Sequence, residues 1–209
     1  MENTFLSYNV ASSSCLAGLN QLIALLNPLF IFLQENILNS EQLVAQVGSQ
    51  FKGASNIDEN ETRKPGNAVL WRVGVEVVVT NVVERRIQLI QTTKYGNFIN
   101  VYAPTGNQGE SARRTLFSQH LLSLTLSTSS SPILVGDWNC LIRKQDKEGW
   151  NASPDSVKLS TELKQLIQYG SYTDAFLYNN SGRIGYTWRR RGRKASRLDR
   201  AYILSSRQS

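Results

Sequence analysis

A mixed α/β (α+β) fold is predicted for this 209-residue chain, on three observations. The apolar run Pro132-Ile133-Leu134-Val135 reads as a short buried strand that stops at Gly136-Asp137-Trp138-Asn139-Cys140. Residues 67–102 are dense in Val, Ile and aromatic side chains, as strands are. Three other stretches, within 15–26, 110–126 and 159–170, repeat apolar residues at helical spacing.

Residues 4–10 alternate and predict a first strand, ending at Asn9. Residues 15–26 place Leu16, Leu19, Leu22, Ile23 and Leu26 on one helical face, with Ser12-Ser13-Ser14 as N-caps and Pro28 as the stop. Residues 29–33 are a wholly apolar strand running directly into Gln34-Glu35. Ser40 is expected to cap a short helix through Val47, and the polar residues 48–66 read as a surface loop. Strands are then expected over 67–71, 73–79, 85–91 and 97–102. Turns at Thr80-Asn81 and Tyr95-Gly96-Asn97 would make them an antiparallel meander. A helix over 110–126 clusters Leu116, Phe117, His120, Leu121 and Leu124, and a Ser/Thr stretch leads into the central strand. Leu159, Leu163, Leu166 and Ile167 mark another helix, closed by Gly170. Strands over 187–190 and 197–204 flank a basic tip. No repeat or linker divides the chain, so one domain over residues 1–209 is expected.

A content of 41% hydrophobic and 19% charged residues suits a globular core. The longest apolar run, 22–33, is broken by Asn27 and Pro28 and is too short to span a bilayer. The N-terminus lacks the basic-then-apolar pattern of a secretory signal. Cys15 and Cys140 have neither metal-ligand spacing nor a disulfide framework, which argues against a zinc site and fits a reducing compartment. The net charge is +7, and the segment from Arg183 to Arg200 holds eight Lys/Arg and one acid, which accounts for the whole excess. A basic patch so confined is an electrostatic footprint for nucleic acid or another polyanion.

Polar residues stand where apolar strands end: Asn9, Glu35, Tyr102 and Asp137. Asn139 follows Asp137 at a spacing that, on extended chain, puts both side chains on one face. Asp199 sits between Leu198 and Ala201-Tyr202-Ile203. Singly, each has a plain structural reading, such as an Asx-turn at Asp137 or a surface ion pair of Asp199 with Arg197 or Arg200. Together they make a set in which carboxylates suit a hard divalent cation, and amides and a phenol suit phosphate oxygens.

Six segments carry a resemblance. They are Leu6-Ser7-Tyr8-Asn9-Val10, Phe32-Leu33-Gln34-Glu35, Asn100-Val101-Tyr102-Ala103-Pro104, Gly136-Asp137-Trp138-Asn139-Cys140, Tyr186-Thr187-Trp188 and Ser196-Arg197-Leu198-Asp199-Arg200. In order and separation they resemble the endonuclease/exonuclease/phosphatase superfamily, most closely the apurinic-type endonuclease of non-LTR (LINE-type) retrotransposons. The resemblance implies a deoxyribonuclease I-like four-layer sandwich, two mostly antiparallel sheets packed face to face with helices outside, and strand ends forming one phosphodiester cleft. It implies Glu35 as the principal ligand of Mg²⁺ (or Mn²⁺), with Asn9 close to the metal. Tyr102 would contact the scissile phosphate, Asp137 would orient or deprotonate the attacking water, and Asn139 would hold a phosphate oxygen. Asp199 would support a histidine. Arg189, Arg190, Arg191, Arg193, Lys194 and Arg197 would bind nucleic acid. The implied partners are DNA and a downstream reverse transcriptase domain. The implied setting is a monomeric, intracellular and nuclear domain, with no membrane.

Two departures qualify these expectations. Ala11-Ser12-Ser13-Ser14-Cys15 stands where the family often has Asn-Gly and basic residues. The family's closing Ser-Asp-His is also absent, and the one histidine, His120, is expected at the edge of a helix core. The expectation is a chain truncated at its C-terminus, with its last strands missing, an unpaired edge beside 197–204, and impaired cleavage. A phosphatase of the same fold acting on inositol phosphates or lipid headgroups is one alternative. A non-catalytic nucleic-acid-binding remnant is the other.

Overall fold

The computed structural model describes residues 4–10, 13–61, 64–106, 108–128, 130–149, 159–181, 183–190 and 194–205, and the chain divides into two units, Met1–Tyr102 and Ala103–Ser209. The first unit comprises β1 (Phe5–Asn9), α1 (Ser13–Leu26), β2 (Phe30–Asn36), α2 (Ser40–Val47), β3 (Phe51–Asn56), β4 (Gly66–Arg72), β5 (Val77–Val83), β6 (Ile87–Thr92) and β7 (Phe98–Tyr102). Four of these strands form a sheet in the order β1-β2-β4-β3, with β1 and β2 parallel and the other pairs antiparallel. β5, β6 and β7 form an antiparallel meander.

Period-two alternation along β2 sends Ile31 and Leu33 to one face and Phe30, Phe32 and Gln34 to the other. Ile31 and Leu33 cluster with Leu70 and Phe51 beneath Leu19 and Ile23 of α1 and Leu43 and Val47 of α2. The opposite face meets β7, with the Phe30 and Phe32 rings 5.3 and 5.2 Å from that of Phe98. Sheet therefore packs on sheet within this unit, with helices outside. Further along, the buried face becomes polar: Gln34, Asn36, Asn56, Asn67, Gln88 and Asn100 are all buried.

The structure corrects three local expectations. Residues 48–66 are not a loop throughout, because β3 pairs with β4 and buries Phe51 and Asn56. Thr80-Asn81 lies inside β5, and the chain turns instead near Gly74 (φ 93°) and Arg85 (φ 60°). Asn39, not Ser40, caps α2: its Oδ1 accepts from Gln42 N at 2.9 Å, while Gln42 Oε1 accepts from Asn39 N at 3.0 Å.

In the second unit α3 (Glu110–Thr115) runs through a π-helical segment, Leu116–Leu121, into α4 (Leu122–Ser127). β8 (Ile133–Asp137), β9 (Lys147–Glu148), α5 (Thr161–Tyr169), β10 (Tyr172–Asp174), α6 (Ala175–Asn179), β11 (Trp188–Arg190), β12 (Lys194–Ser196) and β13 (Asp199–Leu204) follow. β13 lies between β10 and β8, antiparallel to both, so it is not the unpaired edge expected. The basic hairpin joins β11 to β12, with β9 as a third strand, rather than joining β11 to β13. Leu116, Phe117 and Leu121 are buried, whereas His120 faces outward and belongs to no core. Among the described residues no helix is long and apolar enough to cross a membrane.

Candidate active site

Asn9 and Glu35 stand at the carboxyl ends of two adjacent parallel strands, with Asn9 in register with Gln34. Ligands of α/β sheets bind outside such ends. At Glu35 the ladder with β4 slips between Leu33 and Asn36, and the backbone turns left-handed, with φ 56°. A non-glycine residue rarely adopts that conformation, and the bulge turns the Glu35 carboxylate out from between two buried neighbours, Gln34 and Asn36. Glu35 itself is half-buried and makes no hydrogen bond or ion pair with the described residues. Tyr102 ends β7 on the face that begins with Phe98 and Asn100; it is 4% exposed, with the Arg86 guanidinium 4.8 Å from its ring centre.

In the second unit the site is built around Trp138. Its indole is fully buried between Tyr202 and Phe117, at ring distances of 5.1 and 5.9 Å, and its Nε1 donates to Arg200 O at 3.1 Å. With Trp138 so anchored, its two polar neighbours are fixed. Asp137 Oδ1 accepts from Asn139 N at 2.9 Å, and Asn139, at φ 47°, donates from Nδ2 to Ala103 O at 2.9 Å. This is an Asx-turn, so the pair does not lie on extended chain as the spacing suggested. Asp199 is in register with Asp137 across the β13–β8 ladder, which sets two carboxylates side by side. Like charges in that position ordinarily weaken a sheet. Thr187 Oγ1 accepts from both Leu198 N and Asp199 N, at 3.0 and 3.1 Å, and fixes the start of β13.

A cleft of about 600 Å³ opens beside Asn139, bordered by Arg113, Arg114, Lys147 and Ser160. No sequence pattern points to these residues, which come from α3, β9 and the start of α5. Cys140 is also in the cleft wall, and burial pushes its thiol up to about 11.

The basic set divides. Arg189 and Arg190 are exposed on β11, and the Arg189 guanidinium lies 5.6 Å from the Tyr186 ring centre. Lys194 is half-buried opposite Arg190. Arg191 and Arg193 lie outside the described residues. Arg197 is a correction: it is 2% exposed, and its guanidinium forks onto the Asp174 carboxylate at 2.6 and 2.7 Å. Arg200 is buried against Asp146 at 3.0 Å. Burial alone would raise the Asp146 carboxyl, but the Arg200 charge and the N–H groups of Arg143 and Ile142 outweigh it and hold the group below the usual carboxylate range.

Among the described residues no three His, Cys, Asp or Glu side chains gather as a metal cluster. The donors present, a carboxylate at Glu35 and an amide at Asn9, are hard oxygen ligands. They fit Mg²⁺, which is commonly held by one or two carboxylates together with waters and substrate oxygens.

The chain matches the endonuclease/exonuclease/phosphatase family over residues 6–203. No curated protein matches it. Among solved structures it is similar to the AP endonuclease LMAP from Leishmania major, with TM-score 0.73 and 18% identity, covering 96% of this chain and 78% of that one. It is also similar to the endonuclease domain of TRAS1, a telomere-specific non-LTR retrotransposon, with TM-score 0.69 and 13% identity over 98% and 86% of the two chains. A third is the 3′ phosphatase NExo from Neisseria bound to product DNA hairpin, with TM-score 0.67 and 18% identity over 97% and 87%. These likenesses show the fold: two mixed sheets flanked by helices, in the deoxyribonuclease I-like α+β manner.

Proposed function

Since the chain belongs to the endonuclease/exonuclease/phosphatase family, we propose that it is a divalent-metal-dependent hydrolase that nicks DNA and leaves the 3′-hydroxyl that primes reverse transcription of a retrotransposon. The observation that carries the reading is the anchored Asp137–Asn139 turn, set against a second carboxylate at Asp199. Glu35 and Asn9 are the residues to hold Mg²⁺ or Mn²⁺, which when bound would polarise a phosphoryl oxygen. Asp137 orients the attacking water and accepts its proton as the water oxygen bonds to phosphorus and the bond from phosphorus to the 3′-oxygen breaks, the leaving 3′-oxygen taking a proton from solvent water. The Asn139 amide donates to a phosphate oxygen as charge builds there. The Tyr102 hydroxyl is assigned a similar role. Retrotransposon ancestry is supported by the likeness to the TRAS1 endonuclease domain, and DNA as substrate by that and the two other likenesses.

Nicking of supercoiled plasmid with Mg²⁺, followed by polymerase extension from the nick, is the test, with phosphate release from inositol phosphates measured in parallel. Extendable nicks abolished by EDTA are expected. Phosphate release without nicking would replace this reading by a phosphatase, and DNA retention with neither activity would replace it by a binding module. Within the same reading, Glu35→Gln is expected to weaken Mg²⁺ binding by calorimetry while leaving the unfolding temperature in EDTA unchanged, since a neutral amide keeps the shape and loses the charge.

DNA affinity is expected to fall steeply with salt. Replacing Arg189 and Arg190 by alanine should flatten the log–log slope by roughly 0.9 for each phosphate no longer neutralised. An unchanged slope in filter binding would remove β11 from the DNA surface.

A further inference from the structure

We propose that the buried Gln34–Asn100 amide pair is a positioning device for Glu35, holding the left-handed bulge that aims its carboxylate. The inference rests on the reading of Glu35 as a metal ligand. Its starting point is a mismatch between a residue and its backbone. Glu35 has no local reason to adopt φ 56°: it is not glycine, and no side-chain hydrogen bond of its own supports the turn among the described residues. Such a conformation persists only where the surroundings over-determine it. The surroundings here are two buried amides, one on each side. Gln34, fully buried, donates from Nε2 to Asn100 Oδ1 at 2.8 Å and accepts at Oε1 from Ser7 Oγ at 3.3 Å, while its backbone oxygen accepts from Val10 N at 2.9 Å. Asn36 donates from Nδ2 to Leu38 O at 2.7 Å and accepts from Leu38 N at 3.1 Å, closing the chain just past the bulge.

Asn100 ties the first clamp to the rest of the unit. Its Nδ2 donates to Ala68 O at 2.9 Å and to Leu33 O at 3.3 Å, so it grips the peptide two residues before Glu35 as well as the Gln34 side chain. The same face is apolar at its other end, around Phe30, Phe32 and Phe98, so packing between the sheets does not by itself call for amides here. A buried amide chain is a weak route to stability but a strong one to a unique geometry. Its place is the end of β2 where the candidate metal ligand stands, so Gln34 and Asn100 act through Glu35 as positioning residues.

The test is Mg²⁺ titration calorimetry on the full chain, with thermal unfolding in EDTA as the stability readout. Gln34→Met keeps length and burial and removes the amide; it is expected to weaken Mg²⁺ binding about 10- to 100-fold, the usual effect of removing a partner that orients a ligand. Asn56→Leu is the control. Asn56 belongs to the same buried network, donating to Asn67 Oδ1 at 2.9 Å and Val83 O at 2.9 Å, but its side-chain hydrogen bonds go to β4, β5 and β6 and to Arg85 N rather than to β2. It should lower the unfolding temperature comparably and leave Mg²⁺ affinity as in the wild type. Should Gln34→Met fail to fold, Ser7→Ala removes only the bond to Gln34 Oε1 and is expected to weaken Mg²⁺ binding roughly two- to threefold, on the order of one modest hydrogen bond. Equal losses of Mg²⁺ affinity in the Gln34 and Asn56 variants would reduce the network to a structural role and overturn the proposal. Unchanged affinity in Gln34→Met, with binding lost in Glu35→Gln, would overturn it while sparing the functional reading. Unchanged affinity in Glu35→Gln would overturn both.

Discussion

Asp137→Asn is expected to slow plasmid nicking by about 10²- to 10⁴-fold, the usual contribution of a positioned acid–base group. The substitution is conservative in shape. Asparagine can still accept at Oδ1 the hydrogen bond from Asn139 N, so the Asx-turn survives, and Trp138 remains anchored through Arg200 O and its ring partners. What disappears is the negative charge and the proton-accepting capacity. The effect should therefore appear in the single-turnover rate, with DNA affinity as in the wild type. A variant that nicks at the wild-type rate would show that Asp137 does no proton chemistry.

The largest expected loss of stability lies at the ion pair beneath this turn. Asp146 and Arg200 are each 1% exposed in their side chains, 3.0 Å apart. Asp146→Ala strands the guanidinium in a dry interior and should cost about 3–5 kcal/mol, as breaking a buried pair from one side does. Arg200 would keep its bonds to Cys140 O and Arg197 O, at 3.0 and 2.6 Å, so it is deprived of its counter-charge rather than of every acceptor. The pair also sets a pH dependence. The folded pKa of Asp146 is depressed, so its contribution is present above the unfolded carboxylate value, about 3.9. It is lost as pH falls through the folded value. The urea midpoint of the wild type should exceed that of Asp146→Asn at neutral pH, and the gap should close on acidification below about pH 4. A gap that stays constant down to acid unfolding would exclude Asp146 as the titrating group.

Local chemistry written in consecutive residues was legible; chemistry shared by distant strands was not. β1, β2 and β8 announced themselves because an apolar run ending in a polar residue is a local pattern. Asn9, Glu35, Tyr102 and Asp137 stand at strand ends for that reason. β3 escaped because its sequence, Phe51-Lys52-Gly53-Ala54-Ser55-Asn56, has a single large apolar residue. Its place in the sheet comes from pairing with β4, against which Gly53 packs so closely that a Cβ would fall 2.8 Å from Leu70 Cδ2. Asn100 looked like an ordinary strand residue, and its partners stand 66 and 32 positions away at Gln34 and Ala68. Arg197 and Arg200 looked like members of a basic surface. Only Asp174 and Asp146, distant in sequence, show that they are interior charges. Composition locates excess charge along a chain but does not say which side of the surface it lies on.

Cys140 makes the anchored turn chemically readable. Burial pushes its thiol up to about 11, so the thiolate is a minor form at about pH 8. Alkylation by iodoacetamide under native conditions should therefore be slower than for the unfolded chain, because the thiol borders the cleft but is held in its protonated form. Its rate, compared with that of the denatured protein, reports how the folded surroundings hold the thiol protonated. A Trp138→Phe change, which deletes the Nε1 bond to Arg200 O, should speed the reaction well before it lowers the global unfolding temperature. Bound DNA fragments that stabilise the turn should slow it, so the same sulfur reads both the rigidity of the Asp137–Asn139 geometry and its response to ligand.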